Sequence, residues 1–281
     1  AGVEINDSDL QDLADCDIYA ELNKSGSFGA DLLSKADDRI EMRSALLSEY
    51  LIQKILPPKQ VLDACYRITI VSTRRLDDRV YRLLAGVLMK DSTLKKFLKD
   101  SPDTDFLLSK YYERLSDDRM VNDEPLFWLQ YAIFTKRTGS IKYARMFLDT
   151  GYDRARKLKN FKTFQLDTQS LSIYLLEEIK STDPVVKGLE NILASIKLVS
   201  DMISEPSYRQ YAVDVIGEIP AFVEARQHLL ENAEKIALVF ELNRTSNVLA
   251  ALPDDKKALS GSEIVRSRLE KSIKQLEMTK F

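Results

Sequence analysis

Residues 125–151 read Pro125-Leu-Phe-Trp-Leu-Gln-Tyr-Ala-Ile-Phe-Thr-Lys-Arg-Thr-Gly-Ser-Ile-Lys-Tyr-Ala-Arg-Met-Phe-Leu-Asp-Thr-Gly151. Two amphipathic stretches flank the break Thr138-Gly139, where a glycine suits a sharp turn. Trp128 and Leu148 are knobs, while Ala132, Ala144 and Gly151 are holes that let two helices cross closely. Trp128 is expected to fill the groove beside the following helix, opposite Ala144 and Leu148. The second stretch extends the spacing through Ile141, Ala144, Leu148, Gly151, Tyr152, Ala155 and Leu158, with apolar and small residues along one helical face. This segment reads as a helical hairpin.

Outward from it, the same period recurs. Val61, Leu62, Cys65, Ile68 and Val71 follow Pro57-Pro58, and Val80, Tyr81, Leu83, Leu84, Val87 and Leu88 form the next stripe. Phe106, Leu107, Tyr111, Tyr112 and Leu115 make a third, rich in aromatics. Asp183-Pro184 predicts a helix start ahead of Val185, Leu189, Ile192, Leu193, Ile196, Val199 and Met202, because Asp caps free amides and Pro suits the first helical position. Phe222, Leu229, Ala233, Ile236 and Phe240 predict one helix, and Val265, Leu269, Ile273 and Leu276 another. The breaks between them are short, apart from a flexible stretch at Leu252–Ser262. The expectation is an all-α array of antiparallel helical hairpins over residues 57–281.

Residues 1–56 differ. Ser8-Asp9-Leu10-Gln11 resembles a helix-opening capping box. Ile18–Leu22, Phe28–Ser34 and Arg39–Arg43 read as short extended pieces, with turns at Asn23–Ser27 and Ala36-Asp37-Asp38, before a helix Ser44–Ile55. The pattern predicts a small winged-helix-like α/β segment.

The 281 residues are 44% hydrophobic and 30% charged, ample for a core. Forty-one basic against forty-four acidic side chains give a net charge of −3, so no global polycation exists to coat nucleic acid or anionic lipid. Two cysteines and one histidine exclude a disulfide scaffold and the usual zinc sites. No apolar run approaches the roughly 18–20 residues that span a bilayer, and no signal peptide opens the chain. A reducing cytoplasm is the expected setting, with no membrane partner and no cofactor.

There is no phosphate-cradling glycine loop, no H-E-x-x-H, no C-x-x-C and no G-x-S-x-G. His228 has no nucleophile or metal partner near it in sequence and reads as a rim residue. Cys65 sits in an apolar stripe, and the aspartates flanking Cys16 disfavour its thiolate. Of the pairs Asp37-Asp38, Asp77-Asp78, Asp117-Asp118, Glu177-Glu178 and Asp254-Asp255, four sit at turns or helix starts, where carboxylates cap amides, and none reads as an acid–base dyad. No enzymatic activity is predicted; the alternative is a stand-alone scaffold or an enzyme without a recognisable motif, using His228 or one of the acidic pairs.

One charge cluster stands out. Lys142, Arg145, Arg154, Arg156, Lys157, Lys159 and Lys162 are set against only Asp149 and Asp153, and Phe161 and Phe164 adjoin its end. A solvated helix face is the plain reading. The functional one assigns Arg145, Arg154, Arg156, Lys157, Lys159 and Lys162 to one exposed positive surface that binds a partner, an acidic protein ahead of a nucleic acid.

The segment 125–151 resembles a tetratricopeptide-type hairpin: Trp128, Ala132, Gly139, Ala144, Leu148 and Gly151 fall on that repeat's large and small positions. Tyr131 and Thr135 depart from the pattern, no proline closes the unit, and no second copy matches as well. The run Glu124-Pro-Leu-Phe-Trp-Leu-Gln-Tyr-Ala132, then Ala144 to Ala155, Phe164-Gln-Leu-Asp-Thr-Gln169 and Leu175-Leu-Glu-Glu178, is similar to a stretch of bacterial STAND-type P-loop NTPases of antiviral defence, some with a sirtuin-like NADase effector. Arg39-Ile-Glu-Met-Arg43-Ser-Ala-Leu-Leu-Ser-Glu-Tyr-Leu51 resembles the strand-to-helix exit of their winged helix. The resemblance covers about a third of the chain. It implies a protein-binding sensor module that recognises a protein trigger, such as a phage protein, and relays it to the effector and NTPase domains of a longer parent. Any NTPase or NADase activity would lie in that parent, which would also supply any oligomerisation. An opening residue other than Met accords with such a fragment.

Overall fold

The computed structural model describes residues 33–36, 39–42, 50–75, 86–98, 101–253 and 261–279. The protein is all-α in class, and none of its described helices is long and apolar enough to cross a membrane. Two compact units divide at 131/132, whereas the sequence reading draws its boundary at 56/57. The later boundary follows from the core of the first unit, in which helices beyond residue 57 pack on one another.

In the first unit (1–131), strands β1 (Leu33–Ala36) and β2 (Arg39–Met42) pair antiparallel, with Leu33 opposite Met42 and Ala36 opposite Arg39. The extended pieces expected at Phe28–Ser34 and Arg39–Arg43 overlap β1 and β2, although Ala36 belongs to the strand rather than to the turn. The other short elements expected before residue 33, and the start of the helix expected from Ser44, lie outside the described residues. Leu51–Ile55 forms a π-helical turn, and α1 (Pro58–Arg75) opens on a proline, which needs no partner for a missing N–H. The helices α2 (Asp91–Phe97), α3 (Thr104–Ser116) and α4 (Arg119–Asn122) follow, and α5 (Pro125–Arg137) begins in this unit and crosses its boundary.

Its core is aromatic. Tyr112 stacks on Tyr131 at 5.1 Å between ring centroids, and Phe127 meets Trp128 edge-on at 5.1 Å. Trp128 is buried, as expected of a knob, and its indole N–H donates to the Asn122 carbonyl at 2.7 Å. Tyr111 and Tyr112 donate their hydroxyls to the consecutive carbonyls of Leu88 (3.2 Å) and Met89 (2.7 Å). Of the third stripe, Tyr111, Tyr112 and Leu115 are inside, but Phe106 is 64% exposed and Leu108 takes the interior position. Leu108 sits one turn before Tyr112 and two before Leu115, on the face α3 buries; Phe106 lies off it.

The second unit (132–281) continues through α6 (Ile141–Ala155), α7 (Phe164–Lys180), α8 (Leu189–Met202), α9 (Arg209–Ile216), α10 (Ile219–Arg226), a 3₁₀ turn at Gln227–Leu229, α11 (Asn232–Ala250) and α12 (Ser262–Met278). Gly139, at φ +96°, turns the chain between α5 and α6. Its N–H reaches the Lys136 carbonyl and that of Ser140 reaches Thr135, the paired bonds of a Schellman close. Ala132, Ala144, Leu148, Gly151 and Ala155 are buried as the pattern expects, whereas Leu158, beyond the helix end, is exposed. Helix α6 packs on α7, α7 on α8, α8 on α11 and α11 on α12. Leu171, Leu175, Ile192, Ile196, Val199, Phe222, Leu238, Leu242, Leu269 and Leu276 share one largely aliphatic core.

Two expected helices change. The stripe from Phe222 to Phe240 breaks into α10, the 3₁₀ turn and α11, which restarts on a capping box between Glu231 and Glu234. Helix α8 starts at Leu189, not at Asp183-Pro184, and Val185 is exposed. The carbonyls of Ser181 and Asp183 instead accept from the Arg226 guanidinium at 3.0 and 2.7 Å, which holds residues 181–185 out of a helix. Of the stretch Leu252–Ser262, residues 254–260 lie outside the described residues.

Candidate partner-binding surface

The basic turn between α6 and α7 is fixed from beneath. Asp167, buried in the first turn of α7, accepts from the Tyr152 hydroxyl at 2.8 Å and from the Thr163 hydroxyl at 2.9 Å, tying the end of α6 to the far end of the turn. Burial raises the Asp167 carboxyl above its ordinary range, and the two hydroxyls pull it partly back. Burial, then the neighbouring Asp167 charge, pushes the Tyr152 phenol up as well, so it stays a donor. Within the turn Asn160 adopts φ +65°, a left-handed conformation that asparagine tolerates.

Upon this support sit the cations. Arg156, Lys157, Lys159 and Lys162 are exposed. Arg156 pairs with Asp153 at 2.6 Å; among the described residues, Lys157 and Lys159 make no ion pair. Lys162 lies over the Phe164 ring at 5.7 Å, and Phe164 itself packs edge-on against Tyr208 at 4.4 Å. Arg145 does not join this surface, contrary to the sequence expectation. Half-buried, it reaches across to α7, pairs with Glu177 at 2.8 Å and lies 5.0 Å over the Tyr174 ring. Arg154 is half-buried and partnered.

Among the described residues, the remaining candidates form no second site. His228 is exposed on the 3₁₀ turn. Cys65 is buried, and desolvation pushes its thiol up to about 12. Asp118 caps α4 by accepting from the amides of Met120 and Val121. Asp37-Asp38, Asp77-Asp78 and Asp254-Asp255 lie outside the described residues, as does Cys16. Glu178 accepts from the Gly188 amide at 2.9 Å and faces Arg226 at 3.7 Å, both side chains buried. Among the described residues no group of three or more His, Cys, Asp or Glu is placed to hold a metal.

Sequence reasoning missed a polar line through the second unit. The Lys136 amine donates to Gln169 Oε1 at 2.8 Å and to Ser172 Oγ at 2.9 Å, and Ser172 donates to Glu218 Oε2 at 2.6 Å. Burial lowers the Lys136 pKa, with Glu218 opposing. The arrangement has the residue types of a serine nucleophile and its base, but Ser172 is only 3% exposed, so its hydroxyl works as a tie between helices. Separations of 36 and 46 residues left no local signal for it. No family profile, curated protein or solved structure matches the chain.

Proposed function

We propose that the chain is a protein-binding helical module whose basic turn, Arg156 to Lys162, docks an acidic surface of a protein partner. The observation that carries this reading is the Asp167 support. Exposed lysines on a frayed helix end are ordinary solvation, whereas here the turn bearing them is tied at both ends to one buried carboxylate. A protein is favoured over nucleic acid because Phe164, the ring beneath Lys162, is committed to Tyr208 and so is not free to stack on a base. The turn at Gly139 between α5 and α6 is the feature on which the tetratricopeptide-like reading rests.

On the same proposal, residues 1–56 are the winged-helix remnant of a STAND-type defence protein. The helical region after them senses a protein trigger and relays its presence to an effector elsewhere in the parent. The test reverses Arg156, Lys159 and Lys162 to Glu in that parent. The trigger response should fall at least about tenfold, mainly through slower association, while the isolated chain keeps its circular dichroism. Binding of a mixed-sequence single-stranded oligonucleotide, weakening steeply with salt, would move the assignment to nucleic acid. A normal trigger response by the triple variant would reduce the turn to a solvated surface.

A further inference from the structure

Asp183-Pro184 opens a helix in the sequence, yet α8 begins only at Leu189. The unused start is complete. It has a capping Asp, a Pro for the first helical position, and Val185 in step with Leu189, Ile192, Ile196 and Val199 at spacings of four, three, four and three. Those four later residues are buried, whereas Val185 stands on the surface. A latch keeps the segment unwound. The Arg226 guanidinium donates from Nη1 to the Ser181 carbonyl at 3.0 Å, and from Nη2 to the carbonyls of Asp183 at 2.7 Å and Val185 at 3.4 Å. Glu178 Oε1 accepts from the Gly188 amide at 2.9 Å.

The latch leaves buried groups unmatched. Arg226 and Glu178 stop 3.7 Å apart, and among the described residues Arg226 Nε and Glu178 Oε2 have no hydrogen-bond partner. Both atoms lie on groups that the strap holds away from each other.

We infer that residues 184–188 are a two-state strap, latched by Arg226 and Glu178 in the state seen here and wound onto the start of α8 when those two side chains pair with each other. Winding exchanges one set of bonds for another. The carbonyls of Asp183, Pro184 and Val185 accept from the amides of Lys187, Gly188 and Leu189, each four residues on. Arg226 Nη2 and Glu178 Oε1, released together, join Nε and Oε2 in a side-on fork, a geometry that guanidinium and carboxylate favour. Val185 turns onto the face that Leu189 and Ile192 already bury. The chain allows it: the steps from Lys180 to Pro184 reach about 13 Å when extended, more than the roughly 8–10 Å between packed helix axes such as α7 and α8. Gly188 favours the latch, because glycine is poor inside a helix and a Cβ there would lie 3.0 Å from Glu178 Oε1. The two states present different surfaces, so a ligand that prefers either one shifts the balance.

The experiment uses the full chain in a Cys16→Ser background, where Cys65 is buried and does not compete. Backbone α-carbon chemical shifts of residues 184–188 report helix, and Val185→Cys reports exposure through its rate of reaction with a maleimide. With the latch intact the shifts should be non-helical and the introduced thiol reactive. The double variant Arg226→Met/Glu178→Leu removes the latch without stranding a buried charge. Its strap should show helical shifts, and the thiol should react at least about tenfold more slowly. Gly188→Ala, which keeps both charges, should move both readouts the same way by a smaller amount, and it decides the matter if the double variant does not fold. A freed strap that stays non-helical, or a thiol that reacts as fast or faster, overturns the inference. So does Gly188→Ala with neither readout changed, or a native strap that is already helical.

Discussion

Around Tyr112 the first unit packs ring against ring, and its tyrosine and tryptophan donors end on the main-chain carbonyls of Leu88, Met89 and Asn122. Around Ile196 the second unit packs branched aliphatic chains, which carry no direction of their own. Its directional contacts come instead from a few buried polar ties: Asp167 with two hydroxyls, Arg226 with the 181–185 carbonyls and Glu178, Ser200 with Thr245 at 2.7 Å. In the first unit, volume and direction reside in the same side chains. In the second they are separated, so a core position there tolerates exchange among aliphatics while the ties do not.

The largest effect expected is at Trp128. Its replacement by Ala removes a ring from the stack and the indole donor from the Asn122 carbonyl, costing about 3–5 kcal/mol; a urea midpoint within error of wild type would place Trp128 outside the core. Next, Arg226→Met leaves Glu178 buried beside an apolar chain and three carbonyls without their donor, and should cost about 3 kcal/mol or more. Adding Glu178→Leu should restore much of that loss, and a double variant no better than the single one would mean that the carbonyl contacts, not the ion pair, carry the effect.

The smallest effect is a slope. Because the folded Asp167 pKa lies above its unfolded value, the native state takes up its proton first. Stability at this residue therefore rises as pH falls through the folded pKa toward the ordinary carboxylate range, and stops rising below the unfolded value. Asp167→Asn should remove that slope and leave stability near neutrality within about 1 kcal/mol. Urea midpoints of both proteins measured across the acid range decide it, and identical slopes would mean that Asp167 titrates as an ordinary carboxyl.

The contrast also explains what could be read from the chain. Ala144, Leu148, Gly151 and Ala155 were legible because α6 buries one face and shows the other to solvent, so period and burial coincide. On α11 they diverge. Ile236 and Phe240 look like core, yet Leu238, Val239 and Leu242 are inside with Thr245 and Ser246, because apolar residues occupy both faces and periodicity cannot choose between them. The ties were invisible for another reason. Arg226 acts on residues more than 40 positions away and Arg145 on Glu177, 32 away, and a single sequence carries no trace of such pairs. The same distance effect defeated the Asp183-Pro184 signal, where tertiary donors outcompeted a local helix start. Of the proposed binding surface, the four exposed cations were legible; that they lie on a turn, α6 ending at Ala155 where the spacing reads as helix as far as Asn160, was not, nor was its support on Asp167.

Trp128 is the only tryptophan in the chain, and it is sealed in the aromatic cluster of the first unit. Its fluorescence is therefore a private channel. Emission excited at the indole band follows the aromatic cluster around Trp128, while ellipticity sums the helices of both units. A titration in which the two signals part would order the loss of the two cores in time or denaturant without a single substitution, and the gap between the curves would measure how independently each unit melts.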